Sequence, residues 1–89
     1  MSKHTVDIEW AKKALKQTSK LPMQVRQQVY QGVQTLREWP EVSNVKALKD
    51  RKDYRLRVNR YRVIFTVRPD GMVTIIRIEE VMKRDEHTY

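Results

Sequence analysis

Apolar and polar residues alternate over Thr5-Val6-Asp7-Ile8-Glu9-Trp10, which places Val6, Ile8 and Trp10 on one side of a first strand. The period then lengthens. Ala11, Ala14, Leu15 and Thr18 follow helical spacing, with Lys12, Lys13 and Lys16 on the outer side, so a helix is predicted to about Leu21. Pro22 suits the first turn of a second helix, where its missing N–H is not needed. Val25, Val29, Val33 and Leu36 recur at spacings of four, four and three and form that helix's buried stripe. Pro40 ends it, because the residue before a proline disfavours the helical region. Glu41 to Asp53 is polar and without strong periodicity, and reads as a connection.

Three strands are predicted after it, at about Tyr54–Val58, Tyr61–Val67 and Met72–Glu80. The first two read as a hairpin turning at Asn59 and Arg60. In that register Val58 faces Tyr61, Leu56 faces Val63 and Tyr54 faces Phe65, a continuous apolar face. The opposite face then sets Arg57 against Arg62 and Arg55 against Ile64. Like charges directly across a sheet are destabilising, so a chain that keeps them has a use for paired guanidinium groups, and holding a phosphate is the leading one. Arg68-Pro69-Asp70-Gly71 is read as the next turn, since proline presets φ and glycine supplies φ > 0. Pairing Val67 with Met72 across it makes Arg77 the other neighbour of Arg62, and predicts a row of Arg57, Arg62 and Arg77.

The expected architecture is α+β, a single domain over residues 1–89 in the order β-α-α-β-β-β. The two N-terminal helices bury their stripes on one face of an antiparallel sheet, and the arginine face stays open. Trp10 and Trp39 are expected to close the ends of the core.

Composition narrows the function. The net charge is +8, and residues 46–62 carry eight basic side chains against Asp50 and Asp53. Such concentration on one hairpin suits nucleic acid or an acidic partner. The chain has no cysteine and two distant histidines, which excludes a disulfide framework and provides no zinc ligand set. With only Gly32 and Gly71, it has no glycine-rich phosphate loop. No cofactor, metal or small molecule is expected. No stretch approaches membrane-spanning length and no apolar leader segment is present, so a soluble, cytoplasmic protein is expected.

The runs Val45-Lys46-Ala47-Leu48-Lys49, Tyr54-Arg55-Leu56-Arg57-Val58 and Tyr61-Arg62-Val63-Ile64-Phe65 resemble the RelE/ParE superfamily of bacterial toxins, with its "kLkg…yRlRvg.YRviy" pattern. The ending Val81-Met82-Lys83-Arg84-Asp85-Glu86-His87-Thr88-Tyr89 is similar to that family's basic-then-aromatic terminus, and length and element order also match. The resemblance implies the RelE-like microbial RNase fold and a cognate antitoxin. RelE-like members are endoribonucleases that cut mRNA in the ribosomal A site and so inhibit translation; ParE-like members share the fold but poison DNA gyrase.

Metal-free RNA cleavage uses the substrate's 2′-hydroxyl as nucleophile. It needs a base, an acid for the leaving 5′-oxygen, and cations for the phosphorane charge. Arg57 and Arg62, with Arg84, answer the last need. By resemblance Arg62 matches the arginine that contacts the phosphate, and Arg84 the basic residue of the terminal strand or tail. RelE carries lysines where this chain has Arg55 and Arg57, and arginine is a poor general base. His87 and Tyr89 are therefore the candidates for proton transfer, with Glu79, Glu80 and Glu86 behind them. Lys46, Lys49, Lys52, Arg55, Arg60 and Arg77 complete the expected RNA-binding surface, for mRNA and ribosomal RNA. Three readings stay open: a ribosome-dependent mRNA endonuclease, a non-enzymatic gyrase-binding toxin, and a basic module covered by an acidic partner.

Overall fold

The computed structural model describes residues 5–48 and 52–83. Strand β1 (Thr5–Trp10) leads into helix α1 (Lys12–Ser19), then helix α2 (Met23–Gln34) with a 3₁₀ turn at Thr35–Glu38. Strands β2 (Val45–Ala47), β3 (Asp53–Val58), β4 (Tyr61–Asp70) and β5 (Val73–Lys83) follow. The expected α+β class holds, with one strand more than the sequence suggested. β2 pairs with β3 through Val45↔Leu56, Lys46↔Arg55 and Ala47↔Tyr54. Its three residues are too few to show a period, so only the partner strand defines it. The sheet runs β1-β5-β4-β3-β2. It is mixed rather than purely antiparallel, because β1 lies parallel to β5.

The β3–β4 hairpin has the expected register, including Tyr54↔Phe65, Leu56↔Val63, Val58↔Tyr61 and Arg57↔Arg62. Asn59 turns it with φ 53°, a left-handed conformation that asparagine tolerates. The β4–β5 hairpin departs from expectation. Its strands pair as far as Asp70↔Val73, so Val67 lies opposite Ile76 rather than Met72. Gly71, with φ 65°, makes the corner. Pro69 sits inside β4, beyond the last β3 pair Asp53↔Thr66, where one neighbouring strand is absent and proline is tolerated.

A bulge interrupts that pairing. Phe65 lies opposite Ile78 but Ile64 opposite Glu80, so Glu79 is an inserted residue. Simple alternation from Ile78 would aim Glu80 into the core. The insertion instead returns Val81 to the core, 4% exposed and opposite Val63.

The helices pack on the face made by Leu56, Val58, Val63, Phe65, Ile76, Ile78 and Val81. Val29, Val33 and Leu36 are fully buried; each contributes roughly 1.5–3 kcal/mol of burial. α1 buries only Ala14 and Thr18, whose hydroxyl donates to the Ala14 carbonyl at 2.8 Å. Leu15, read as part of that stripe, is 47% exposed. Instead of lying over the middle of the sheet, α1 guards the edge of β5 beyond the end of β1. The Gln17 side-chain oxygen accepts the Val81 N–H at 2.7 Å, and Lys13 Nζ stands 3.4 Å from the Glu80 carboxylate. These two contacts, four residues apart on one helix face, cover an otherwise open strand edge. Arg37 does the same for β1, donating to the Val6 carbonyl at 3.1 Å.

α2 meets β3 closely at Gly32, where an added Cβ would lie 2.7 Å from Val58 Cγ2. Asn59 Nδ2 donates to Gln28 Oε1 at 2.7 Å and ties the hairpin tip to the same helix. Trp39 closes one end of the core edge-on against Tyr54 and Phe65, at centroid distances of 5.0 and 5.8 Å. Trp10 packs against Tyr30 at 5.4 Å.

Candidate nucleic-acid interface

Because Leu56, Val58 and Val63 point into the core, strand alternation sends Arg55, Arg57 and Arg62 to the opposite face. Arg57 and Arg62 stand directly across from one another, as the sequence required. The Nε of Arg62 is shut away from solvent and has no hydrogen-bond partner among the described residues. A buried donor left unsatisfied costs roughly 1–3 kcal/mol, and more when charged. An anion seated between the two guanidinium groups would remove that cost and the mutual repulsion together.

Beside this pair lies a second row. Lys46 faces Arg55 across β2 and β3, Arg55 faces Ile64, and Ile64 faces Glu80. Ile64 is 6% exposed although it lies on the open face. The run Val63-Ile64-Phe65 carries the signal for this, since three successive apolar residues cannot all face the same core. A cleft of about 260 Å³ opens next to the row, lined by Asn44, Val45, Lys46, Arg55 and Arg57. Asn44, which sequence reasoning did not single out, sits there with φ 61° and accepts the Arg57 N–H at 2.9 Å. Three cations around one cleft, with no acidic residue lining it, make a site for anionic groups.

The predicted row of three arginines does not form. Arg62 has Met82 as its β5 neighbour, and Arg77 lies opposite Thr66. The longer β4–β5 pairing shifts Arg77 along β4 to Thr66, and there it stands beside Glu9 of β1 and 3.4 Å from the Glu79 carboxylate. Thr66 donates to the same carboxylate at 3.3 Å. Arg77 is thus partly neutralised and apart from the arginine pair. Arg60 occupies the β3–β4 turn, and Lys52 is exposed just before β3. Lys49, Arg84, His87 and Tyr89 lie outside the described residues, as does Glu86. Of the weaker acid–base options, Glu79 and Glu80 are the carboxylates already engaged by Arg77 and Lys13.

Among the described residues no group of three or more His, Cys, Asp or Glu could hold a metal ion. No helix among them is long and apolar enough to cross a membrane.

The sequence matches a family model, that of the ParE toxin of the type II toxin–antitoxin system parDE, over residues 8–83. No curated protein matches it significantly. Among solved structures, the isolated E. coli RelE toxin is similar with a TM-score of 0.73 and 22% identity, over 91% of this chain and 86% of that one. The archaeal RelE–RelB complex from Pyrococcus horikoshii OT3 gives 0.74 and 25%, over 92% and 98%. A YoeB/ParE toxin from Agrobacterium tumefaciens gives 0.72 at 9% identity, over 88% and 98%. At such identities the first and last of these speak for the fold alone.

Proposed function

The chain belongs to the ParE toxin family of type II toxin–antitoxin systems, and from that premise we propose that it is a metal-independent endoribonuclease. Its substrate is mRNA in the ribosomal A site, so that it arrests translation in the cytoplasm. The observation that carries this reading is the Arg57–Arg62 pair, with the Arg62 Nε buried and lacking an acceptor. A phosphodiester offers the missing acceptor and the compensating charge in one group.

In this mechanism the substrate's 2′-oxygen attacks the adjacent phosphorus. The P–O2′ bond forms, the P–O5′ bond breaks, and the products are a 2′,3′-cyclic phosphate and a 5′-hydroxyl end. Arg62 and Arg57 grip the non-bridging oxygens and stabilise the negative charge that builds on the phosphorane. The proton leaving the 2′-hydroxyl goes to a base and a proton reaches O5′ from an acid. His87 and Tyr89 are assigned those exchanges on sequence grounds, with Arg84 as a third cation. Lys46 and Arg55 hold the neighbouring backbone, and Lys49, Lys52, Arg60 and Arg77 extend the contact toward ribosomal RNA. The partner that silences the toxin is a cognate antitoxin. Several of the structural neighbours are toxin–antitoxin complexes, which supports that assignment.

A specific observation favours the second reading, a gyrase-binding toxin. The matching family model is the ParE one, and positions 55 and 57 carry arginine, a poor general base, where RelE carries lysine. Primer extension on a translated mRNA separates the two. The nuclease reading expects discrete cuts from the wild type and a loss of roughly 10²-fold or more in Arg62→Ala, with a thermal melt no lower than that of the wild type. Toxicity with DNA breaks and no mRNA cuts would establish the gyrase reading instead. Full cleavage by Arg62→Ala would remove the arginine pair from the site.

A further inference from the structure

The arginine face is not the whole of the recess around Arg57. A second groove, of about 350 Å³, lies before the start of β2, where α2 flanks the tip of the β3–β4 hairpin. Its walls carry Gln28, Gln31, Asn44 and Asn59, over a floor that includes Gly32 and Leu56, with Arg57 at the rim. Asn44 and Arg57 also line the cationic cleft on the other side of β3. The two recesses therefore meet at these residues, one of them cationic and the other walled by carboxamides.

From this junction we infer that the amide groove is a nucleobase-reading pocket. It takes the base of a nucleotide whose phosphate lies at Arg57 and Arg62, and so sets the base preference of cleavage. The inference rests on the nuclease reading and deepens it. Carboxamides present a donor and an acceptor together, which is what the Watson–Crick and Hoogsteen edges of a base require. Phosphate contacts carry no sequence information, so the arginines alone cannot discriminate between bases.

The pocket is also partly preorganised. Asn59 donates to Gln28 at 2.7 Å, which orients both amides and leaves the Asn59 oxygen and the Gln28 NH₂ group for a ligand. Gln31 is exposed one turn further along α2, and its side chain makes no hydrogen bond among the described residues. None of the lining residues is acidic, so nothing repels the sugar–phosphate backbone as it crosses from one recess to the other.

The test is a titration of the full-length toxin, labelled with ¹⁵N, with hexaribonucleotides that differ in one base, with inorganic phosphate, and with an acidic peptide. RNA should move the side-chain NH₂ signals of Gln28, Gln31, Asn44 and Asn59 by amounts that depend on the base. Phosphate should move the signals of the cationic residues, Arg57 and Arg62 among them, and leave the amide signals of Gln28, Gln31 and Asn59 in place. Gln31→Ala, an exposed position that leaves the melt unchanged, should reduce the spread of affinities among the four bases at least threefold while preserving the salt dependence. RNA that shifts the arginines but not the amides would overturn the pocket and leave the nuclease reading standing. RNA that shifts neither would overturn both. Amide shifts with the acidic peptide alone would make the groove a protein-docking surface, and the inference would be wrong.

Discussion

Arg57 and Arg62 at one end of the open sheet face, and Arg68 and Arg77 at the other, are the same residue type on the same surface with different company. Arg77 lies 3.4 Å from the Glu79 carboxylate, and Arg68 lies 3.9 Å from that of Glu9. Arg57 and Arg62 face each other across the strands, with Met82 on the far side of Arg62, and no salt bridge among the described residues engages either. One end is therefore a salt-bridged surface of ordinary kind, worth little to stability. The other retains its repulsion and its unmet hydrogen-bonding capacity. What marks a candidate site is the absence of neutralisation, since arginine itself is common to both ends.

The largest effect should come from removing each pair in turn. Replacing Arg57 and Arg62 together by alanine should weaken RNA binding by roughly 10²-fold or more, since each hydrogen bond to a charged group is worth about 1.5–3 kcal/mol. The slope of log K against log salt should fall by about 0.7, the value for one phosphate contact on single-stranded RNA, because both arginines grip the same phosphate. The double change Arg68→Ala/Arg77→Ala should leave both quantities nearly unchanged. Fluorescence anisotropy with a short RNA over a salt series reads both. Equal losses from the two pairs would mean that neutralisation by Glu9 and Glu79 does not matter.

Next in size is a change beneath the arginine pair that touches no arginine. Gly32→Ala forces a Cβ to 2.7 Å from Val58 Cγ2, on the strand that carries Arg57. Overpacking of this kind costs about 1–3 kcal/mol, and alanine returns about 1 kcal/mol of helix propensity. A net loss of about 1 kcal/mol is expected, or roughly 4–8 °C in Tm for a domain of this size. The same substitution in a Val58→Ala background should cost nothing, because its clash is gone. A double-mutant cycle by thermal denaturation measures that coupling. A cost that persists without Val58 would place the strain elsewhere than in the helix–hairpin contact.

These two ends were not equally legible in the sequence. The β3–β4 hairpin could be read because its two-residue turn and its alternation independently fix one register, and any slip would have buried an arginine. The β4–β5 hairpin offered no such agreement. Pro69 and Gly71 both look like turn residues, and only the pairing of Asp70 with Val73 shows that the proline belongs to the strand. The inserted Glu79 compounds the difficulty, since Ile78 and Val81, three residues apart, break the period of two expected of a strand. The turn signals alone therefore put Arg77 beside Arg62, whereas the strands pair it with Thr66. β2 and the parallel docking of β1 on β5 are tertiary decisions that no local pattern announces. The arginine pair was recognisable because its cost was visible; the cleft and groove around Asn44 arise from strands and a helix distant in sequence.

That cost gives a smaller test. Arg57→Thr removes a like-charged cross-strand pair and installs a good strand former, so stability should rise by about 0.5 kcal/mol. Urea denaturation should show the gain as a higher midpoint at an unchanged slope, while cleavage falls. A variant destabilised by this change would mean that Arg57 supports the fold, and that the pairing is not a cost kept for function.

The smallest change in stability carries the sharpest distinction. Glu79→Gln deletes the carboxylate beside Arg77 but keeps an acceptor for the Thr66 hydroxyl. Both side chains of the ion pair are substantially exposed, at 50% and 34%, so unfolding should move by less than about 0.5 kcal/mol. RNA binding should respond more clearly than stability. With its counter-charge gone, Arg77 becomes available to a phosphate, and the salt slope should grow by about 0.7. If the slope stays where it was, Arg77 lies beyond the path of the RNA whatever its charge state. The two ends of the face would then differ by position alone, and the tight β4–β5 turn would matter because pairing Asp70 with Val73 sets Arg77 opposite Thr66, away from Arg62, with neutralisation a secondary consequence.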